Sequence, residues 1–431
     1  MQKLLIEHSG PLQGAVTVNG AKNAVLPIMA ACLLTDAPSI IENVPCVTDV
    51  LTMVEILRHL GVEATLSGDR LTVAPDGFTS VTAPYELVSR MRASICVLGP
   101  LLARHGHAQV SMPGGCIIGS RPVDLHLKGL QALGASFTME HGYIVGTAQA
   151  LRGAKMHLSG ASGSSVLATG NVMMAATLAT GTTVVEHAAC EPEVTDLANF
   201  LIKMGARIEG HGGPVIRIEG VARLHGATHR IIPDRIETGT LMIATALLGG
   251  DVTIKGARAE HLGAVIEKLV EAGVSVESLD NALHVSRTGP LRSVDVTTLP
   301  FPGFPTDLQA QMMALMAVSQ GVSVLTEKIY PERFMHVSEL NRMGAQITRE
   351  GSIAIVKGVG RLLGAPVMAT DLRASAALIL AGLAAENATE LNGLEHLDRG
   401  YAGLEARLTQ LGARIHRVSG DGPHAPAGSS T

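Results

Sequence analysis

Residues 112–126, Met-Pro-Gly-Gly-Cys-Ile-Ile-Gly-Ser-Arg-Pro-Val-Asp-Leu-His, place one cysteine where a thiol could react. Gly114, Gly115 and Gly119 bracket Cys116 in a loop able to swing and close. Arg121, and a helix N-terminus expected at Asp124, would both lower the thiol pKa from about 8.5. The competing reading is an inert buried thiol, the usual fate of cysteine. It suits Cys32, Cys96 and Cys190, which have apolar or alanine neighbours, and leaves Cys46 open. Five cysteines without a CxxC pair predict neither a zinc site nor a disulfide framework, and point to a reducing compartment.

Charged residues gather at the starts of six apolar helices. Those starts read GAKNAVLP, SRMRASIC, ASGSSVLA, PDRIETGT, PTDLQAQM and TDLRASAA. They carry Lys22, Arg92, Ser165, Asp234 with Arg235, Asp307, and Asp371 with Arg373. Ser165, Asp307 and Asp371 read comfortably as N-caps. Lys22, Arg92 and Arg373 do not, because a cation there opposes the helix dipole by about 0.3–1 kcal/mol. Either these charges scatter over the surface, or the helix ends and cations converge to grip an anion such as phosphate or carboxylate. In HLDRGY, residues 396–401, Arg399 falls at the same phase as the Cys116 loop, so it is a solvated charge or a further site cation. Glu191 and Glu237 stay between capping and site roles.

The elements that would position these residues repeat. LRHLGVEATL, LQALGASFTM, LIKMGARIEG, LVEAGVSVES, LNRMGAQITR and LTQLGARIHR each read as a helix end, a glycine and a strand. Their glycines, Gly61, Gly134, Gly205, Gly273, Gly344 and Gly412, are separated by 73, 71, 68, 71 and 68 residues. Glycine at that point is what a left-handed helix C-cap requires. A second half-motif, such as AATLATGTTVVEHA, adds an apolar helix and a β-branched strand, and most copies finish on a hairpin signal. Each unit therefore predicts β-α-β-α-β-β. Six units over 431 residues fit an α/β protein of two three-unit domains, with helices inside and strands outside.

Composition excludes other classes. Net charge is 33 − 38 = −5 and aromatics are 2%, which argues against nucleic acid or an anionic membrane as partner. Residues 159–185 carry Gly, Ser, Thr and Asn171 too densely for a membrane span, except for lacking charge until Glu186. No signal-peptide run opens the chain, so a soluble, cytoplasmic protein is expected. Residues 420–431 read as a flexible tail.

Eight strings in order then resemble the UDP-N-acetylglucosamine 1-carboxyvinyltransferases, the enolpyruvyl transferases of peptidoglycan precursor synthesis. They are GAKNA (20–24), MRASI (91–95), PGGC–IG–RPVDLH (113–126), PDRIETGT (233–240), FPTD–QAQ (304–311), RFMHV–EL (333–340), ATDLRASA (369–376) and DRGY (398–401). The sister enzymes acting on shikimate 3-phosphate share the fold but lack the PGGC loop and RPVDLH. The resemblance implies an inside-out α/β barrel pair with substrates in a closing interdomain cleft. Its domains would be 22–232, and 1–21 joined to 233–419, the first strand crossing into the second domain.

The implied reaction moves the enolpyruvyl group of phosphoenolpyruvate to the sugar 3′-hydroxyl, without metal or organic cofactor; a monomer is expected separately from the resemblance. By the resemblance, Lys22, Arg92, Arg121 and Arg399 hold phosphoenolpyruvate. Asn23, Arg121, Pro122, Val123, Asp124, Leu125, Ser165, Val166 and Ile329 contact the nucleotide sugar. Asp307 takes the hydroxyl proton, Cys116 is the general acid, and Asp371, Arg373 and Asp234 complete the cleft. Two positions depart from the pattern: Cys46-Val47-Thr48, where many relatives have a basic residue, and Leu167, where glycine often follows the Ser-Val pair. The alternatives are a related transferase with another acceptor and a non-catalytic nucleotide-sugar binding protein.

Overall fold

In the computed structural model, residues 2–113, 123–161 and 163–419 are described. The six glycines end their helices as expected. All have positive φ, from 89° at Gly61 and Gly344 to 100° at Gly134 and Gly205. After each, the next residue's N–H returns to a carbonyl five residues back, as in Val62 to Leu57 and Ala413 to Leu408. These bonds satisfy carbonyls that a helix end would otherwise orphan.

Each unit builds one four-stranded sheet. In the second, Thr82–Ala83 pairs parallel with His107–Ser111, and the antiparallel strands Tyr143–Thr147 and Ser136–Glu140 follow. The strands alternate: in Ile353–Lys357, Ala354 and Val356 are buried while Ile353, Ile355 and Lys357 face out. One-sided sheets of this kind need helices behind them. The apolar helices Lys22–Ala31, Val166–Ala176, Arg235–Leu248, Gln309–Val318 and Leu372–Ala384 fill that role, buried almost all round. The fold is thus the two-domain α/β arrangement expected, six units with helices inside and sheets outside. None of the described helices is long and apolar enough to cross a membrane.

Three of the sheets borrow a strand from far along the chain. Thr228–Arg230 pairs parallel with Ser39–Glu42, and Leu12–Thr17 with Gly250–Lys255. Gln2–Ile6 inserts between Thr389–Asn392 and Ile415–Ser419. Two apolar cores result, one running from Ala21 to Ile231, the other combining Leu4–Val18 with residues from Ile236 to Ile415. The chain passes between them twice, side by side. Ala21 N–H donates to Ile232 O at 2.8 Å, and Asp234 N–H to Asn19 O at 2.8 Å.

Candidate active site

The inner helices bring their first turns toward that double crossing. Asp234 accepts from the N–H groups of Ile236 and Glu237 at 2.7 and 3.0 Å, and from Lys22 N–H at 3.3 Å. One carboxylate therefore caps the Arg235 helix and ties it to the Lys22 helix of the other core. Asp371 caps its helix through Arg373 and Ala374, and Ser165 accepts from Ala168. Both are N-caps, as their residue types predict.

Asp307 is not. It lies in the short turn Thr306–Leu308, and the helix Gln309–Val318 starts without a side-chain cap. Its carboxylate turns instead to cations: Arg333 Nη1 donates to Oδ1 at 2.8 Å and Arg373 Nη2 to Oδ2 at 2.9 Å. Asn23 Nδ2, from the opposite core, stands 3.5 Å from Oδ2. Both guanidiniums are buried, and the proximity of Asp307 holds their protons despite burial. The gain from two charge-assisted pairs exceeds that of one backbone cap, which is why the capping expectation fails here.

A second centre joins Lys22 and Arg399. Lys22 Nζ lies 2.7 Å from Asp49 Oδ2, and Arg399 Nε donates to Asp49 Oδ1 at 3.0 Å. Burial alone would push the Asp49 carboxyl up, but Lys22 and Arg399 hold it below the usual carboxylate range. Arg399 is therefore no solvated charge. Its partner lies 350 residues away and belongs to the other core.

Five of the expected nucleotide-sugar residues, Val123, Asp124, Leu125, Ser165 and Val166, cluster at two helix starts. Val123 is buried just before the helix Asp124–Ala132, while Asp124 is exposed. A Cβ on Gly160 would stand 3.3 Å from Leu125, and one on Gly163 3.5 Å from Pro300 across the gap. Val166 opens the helix that Ser165 caps. Ile329 N–H donates to the buried Glu327 carboxylate. Arg92 begins the turn Arg92–Val97, close enough to the buried His126 for its charge to act there. Burial first, then Arg92, pushes His126 down to about 3, so the ring is neutral. Cys116, Arg121, Pro122 and the tail residues 420–431 lie outside the described residues.

Of the other cysteines, Cys32 and Cys96 are buried and pushed up to about 12, as inert thiols should be. Cys190 is only half-buried, where full burial was expected, because it leads into a helix start at the gap; Cys46 is exposed. Of the two open glutamates, Glu191 links the two cores and Glu237 forms an ion pair within the second. Glu191 Oε1 accepts from Phe301 N–H at 3.3 Å, and Glu237 pairs with Arg407 at 3.0 Å. Asp49, Arg333 and Glu327 were missed by residue-by-residue reading. The signal for Asp49 was its place in ENVPCVTD, at the phase of the Cys116 loop; that for Arg333 was the RFMHV string.

Burial pushes Glu237 up to about 7, against Arg407, which pulls it down. A carboxyl whose folded pKa is raised adds stability at low pH and loses it as pH climbs from 4.5 through about 7. Glu237→Gln is therefore expected to flatten the fall of the thermal midpoint between those pH values. An unchanged slope would contradict this.

Comparisons with known proteins agree in kind. The family model of EPSP synthase (3-phosphoshikimate 1-carboxyvinyltransferase) matches residues 6–408. UDP-N-acetylglucosamine 1-carboxyvinyltransferase 1 of Caldanaerobacter subterraneus subsp. tengcongensis is 53% identical over 96% of this chain and 99% of its own. The UDP-N-acetylglucosamine 1-carboxyvinyltransferase of Geotalea daltonii is 52% identical over 97% of this chain and 100% of its own. Among solved structures, the enolpyruvyl transferase NikO of Streptomyces tendae superposes with TM-score 0.88 at 29% identity, covering 97% of this chain and 99% of that one. An EPSP synthase of Acinetobacter baumannii reaches 0.75 at 18% identity, covering 97% and 100%, and so shares the fold.

Proposed function

Since the chain belongs to the EPSP synthase family of enolpyruvyl transferases, we propose that it transfers the enolpyruvyl group of phosphoenolpyruvate to the 3′-hydroxyl of UDP-N-acetylglucosamine, releasing phosphate. The observation that carries the choice of acceptor is the 53% identity, over almost the whole of both chains, to a relative named for that reaction. The product would enter peptidoglycan precursor synthesis. On this reading the enzyme is a cytoplasmic monomer that needs no metal or organic cofactor, and residues 22–232 close on the unit formed by 1–21 and 233–419.

The chemistry is addition to an enol ether followed by elimination. Addition requires one proton delivered to the methylene carbon and one removed from the sugar hydroxyl. Asp307, reached by residues of both cores, is the acceptor of the hydroxyl proton; Cys116 is the donor. Lys22, Arg92, Arg121 and Arg399 offset the charges of phosphate and carboxylate, and their pull strengthens as closure expels water. Overall charge would repel such an anion, so these fixed cations must supply the attraction locally. Asn23, Pro122, Val123, Asp124, Leu125, Ser165, Val166 and Ile329 seat the nucleotide sugar, with Asp234, Asp371 and Arg373 framing the cleft.

Phosphate should be released from phosphoenolpyruvate only when UDP-N-acetylglucosamine is present. Absence of release, or equal release with shikimate 3-phosphate as acceptor, would reject the proposal.

A further inference from the structure

Glu327 is fully buried, yet none of the described lysines or arginines forms an ion pair with it. A buried carboxylate left without a cation is costly unless hydrogen bonds replace the lost water. Four do. Oε1 accepts from Thr298 Oγ1 at 2.7 Å and from the N–H groups of Ile329 and Tyr330 at 2.8 and 2.9 Å. Oε2 accepts from Thr306 Oγ1 at 2.9 Å.

Thr306 is also an acceptor. Arg333 Nη1 donates to its hydroxyl at 3.0 Å, and the same nitrogen donates to Asp307 Oδ1 at 2.8 Å. The direction of this chain is forced. Arg333 has no acceptor atom, so its N–H must donate to Thr306, whose O–H must then donate to Glu327. We infer that Glu327 is a positioning residue for the transfer: through Thr306 it aims Arg333 at Asp307, while its other oxygen shapes the Ile329–Tyr330 turn. One carboxylate thereby sets both the orientation of the proton acceptor and the wall expected to receive the nucleotide sugar.

This inference rests on the proposed role of Asp307, and its test separates the two. The two halves of the Glu327 carboxylate can be cut independently. Thr306→Val removes the relay and leaves the turn bonds intact; Thr306→Ser restores the hydroxyl. Glu327→Gln keeps an acceptor for the turn but makes the other arm a donor, which Thr306 cannot receive while it donates in the present direction. In full-length enzyme, Thr306→Val and Glu327→Gln should lower kcat roughly 10- to 100-fold, the scale of a 1 Å misplacement of a reacting group. The KM for UDP-N-acetylglucosamine should stay within about twofold, and Thr306→Ser should recover most of the loss.

Wild-type kcat in Thr306→Val, or a loss that Thr306→Ser fails to rescue, overturns the inference while leaving the proposed reaction standing. Should Glu327→Gln fail to fold, the threonine pair decides alone. A wild-type enzyme that releases no phosphate with this acceptor overturns both readings together.

Discussion

Asp307→Asn should lower kcat for phosphate release by about 10²–10⁴, the span contributed by one positioned acid or base. Asparagine keeps the shape of the side chain and one oxygen for the surrounding donors. It cannot take a proton from a hydroxyl. The amide also faces Arg333 or Arg373 with an N–H where an oxygen stood 2.8 or 2.9 Å away, so one buried guanidinium loses its acceptor. Two readouts separate these effects. Affinity for UDP-N-acetylglucosamine, measured by calorimetry, should fall far less than kcat if proton removal dominates. A kcat within tenfold of wild type would remove Asp307 from the reaction.

The second large effect is on the protein itself. Asp49→Ala is expected to cost about 3 kcal/mol, the lower end of the penalty for leaving a buried charge without its partner because Lys22 and Arg399 are only half-buried, read from the denaturant midpoint. Lys22 and Arg399 would then face one another with only solvent between. Inorganic phosphate should recover part of the loss, and more so in the variant than in wild type, because an anion would replace the missing carboxylate. The sign with pH is fixed by the depressed Asp49 pKa. Its contribution is complete above the usual 3.8 and disappears as pH falls through the lower folded value. Wild type and variant should therefore converge in acid. A gap that persists there would mean that Asp49 acts through packing rather than charge.

Local rules were legible in the chain because their causes are local. A glycine that must adopt positive φ after a helix is identified by its neighbours, and all six repeat glycines do so. The same holds for Asp371 and Ser165, whose cap partners lie within three residues. Asp307 has the same residue type at the same phase, but its partners Arg333 and Arg373 lie 26 and 66 residues further on. Nothing near Asp307 in the chain distinguishes a cap from a carboxylate held between guanidiniums. Asp49 was overlooked for a related reason: a single acid in a helix's first turn reads as dipole chemistry until the fold brings Lys22 and Arg399 to it. Strand pairing was hidden too. Residues 228–230, Thr-His-Arg, carry little strand signal of their own, and only the chain's second crossing assigns them to the sheet begun at Ser39.

The borrowed strands bear on how the molecule is made. Gln2 reaches Arg417 across 415 residues, so the Gln2–Ile6 strand must wait for a partner made that much later. The half running from Lys22 is different: its final strand, Thr228–Arg230, emerges before the strands that pair with Gln2–Ile6, so this half can consolidate first. Meanwhile Leu4, Ile6, Leu12 and Val16, all destined for burial, stay tethered to a finished neighbour. The nascent protein thus carries a sticky strand until Thr389–Asn392 and Ile415–Ser419 are made, and the closing of that sheet is the event that retires it.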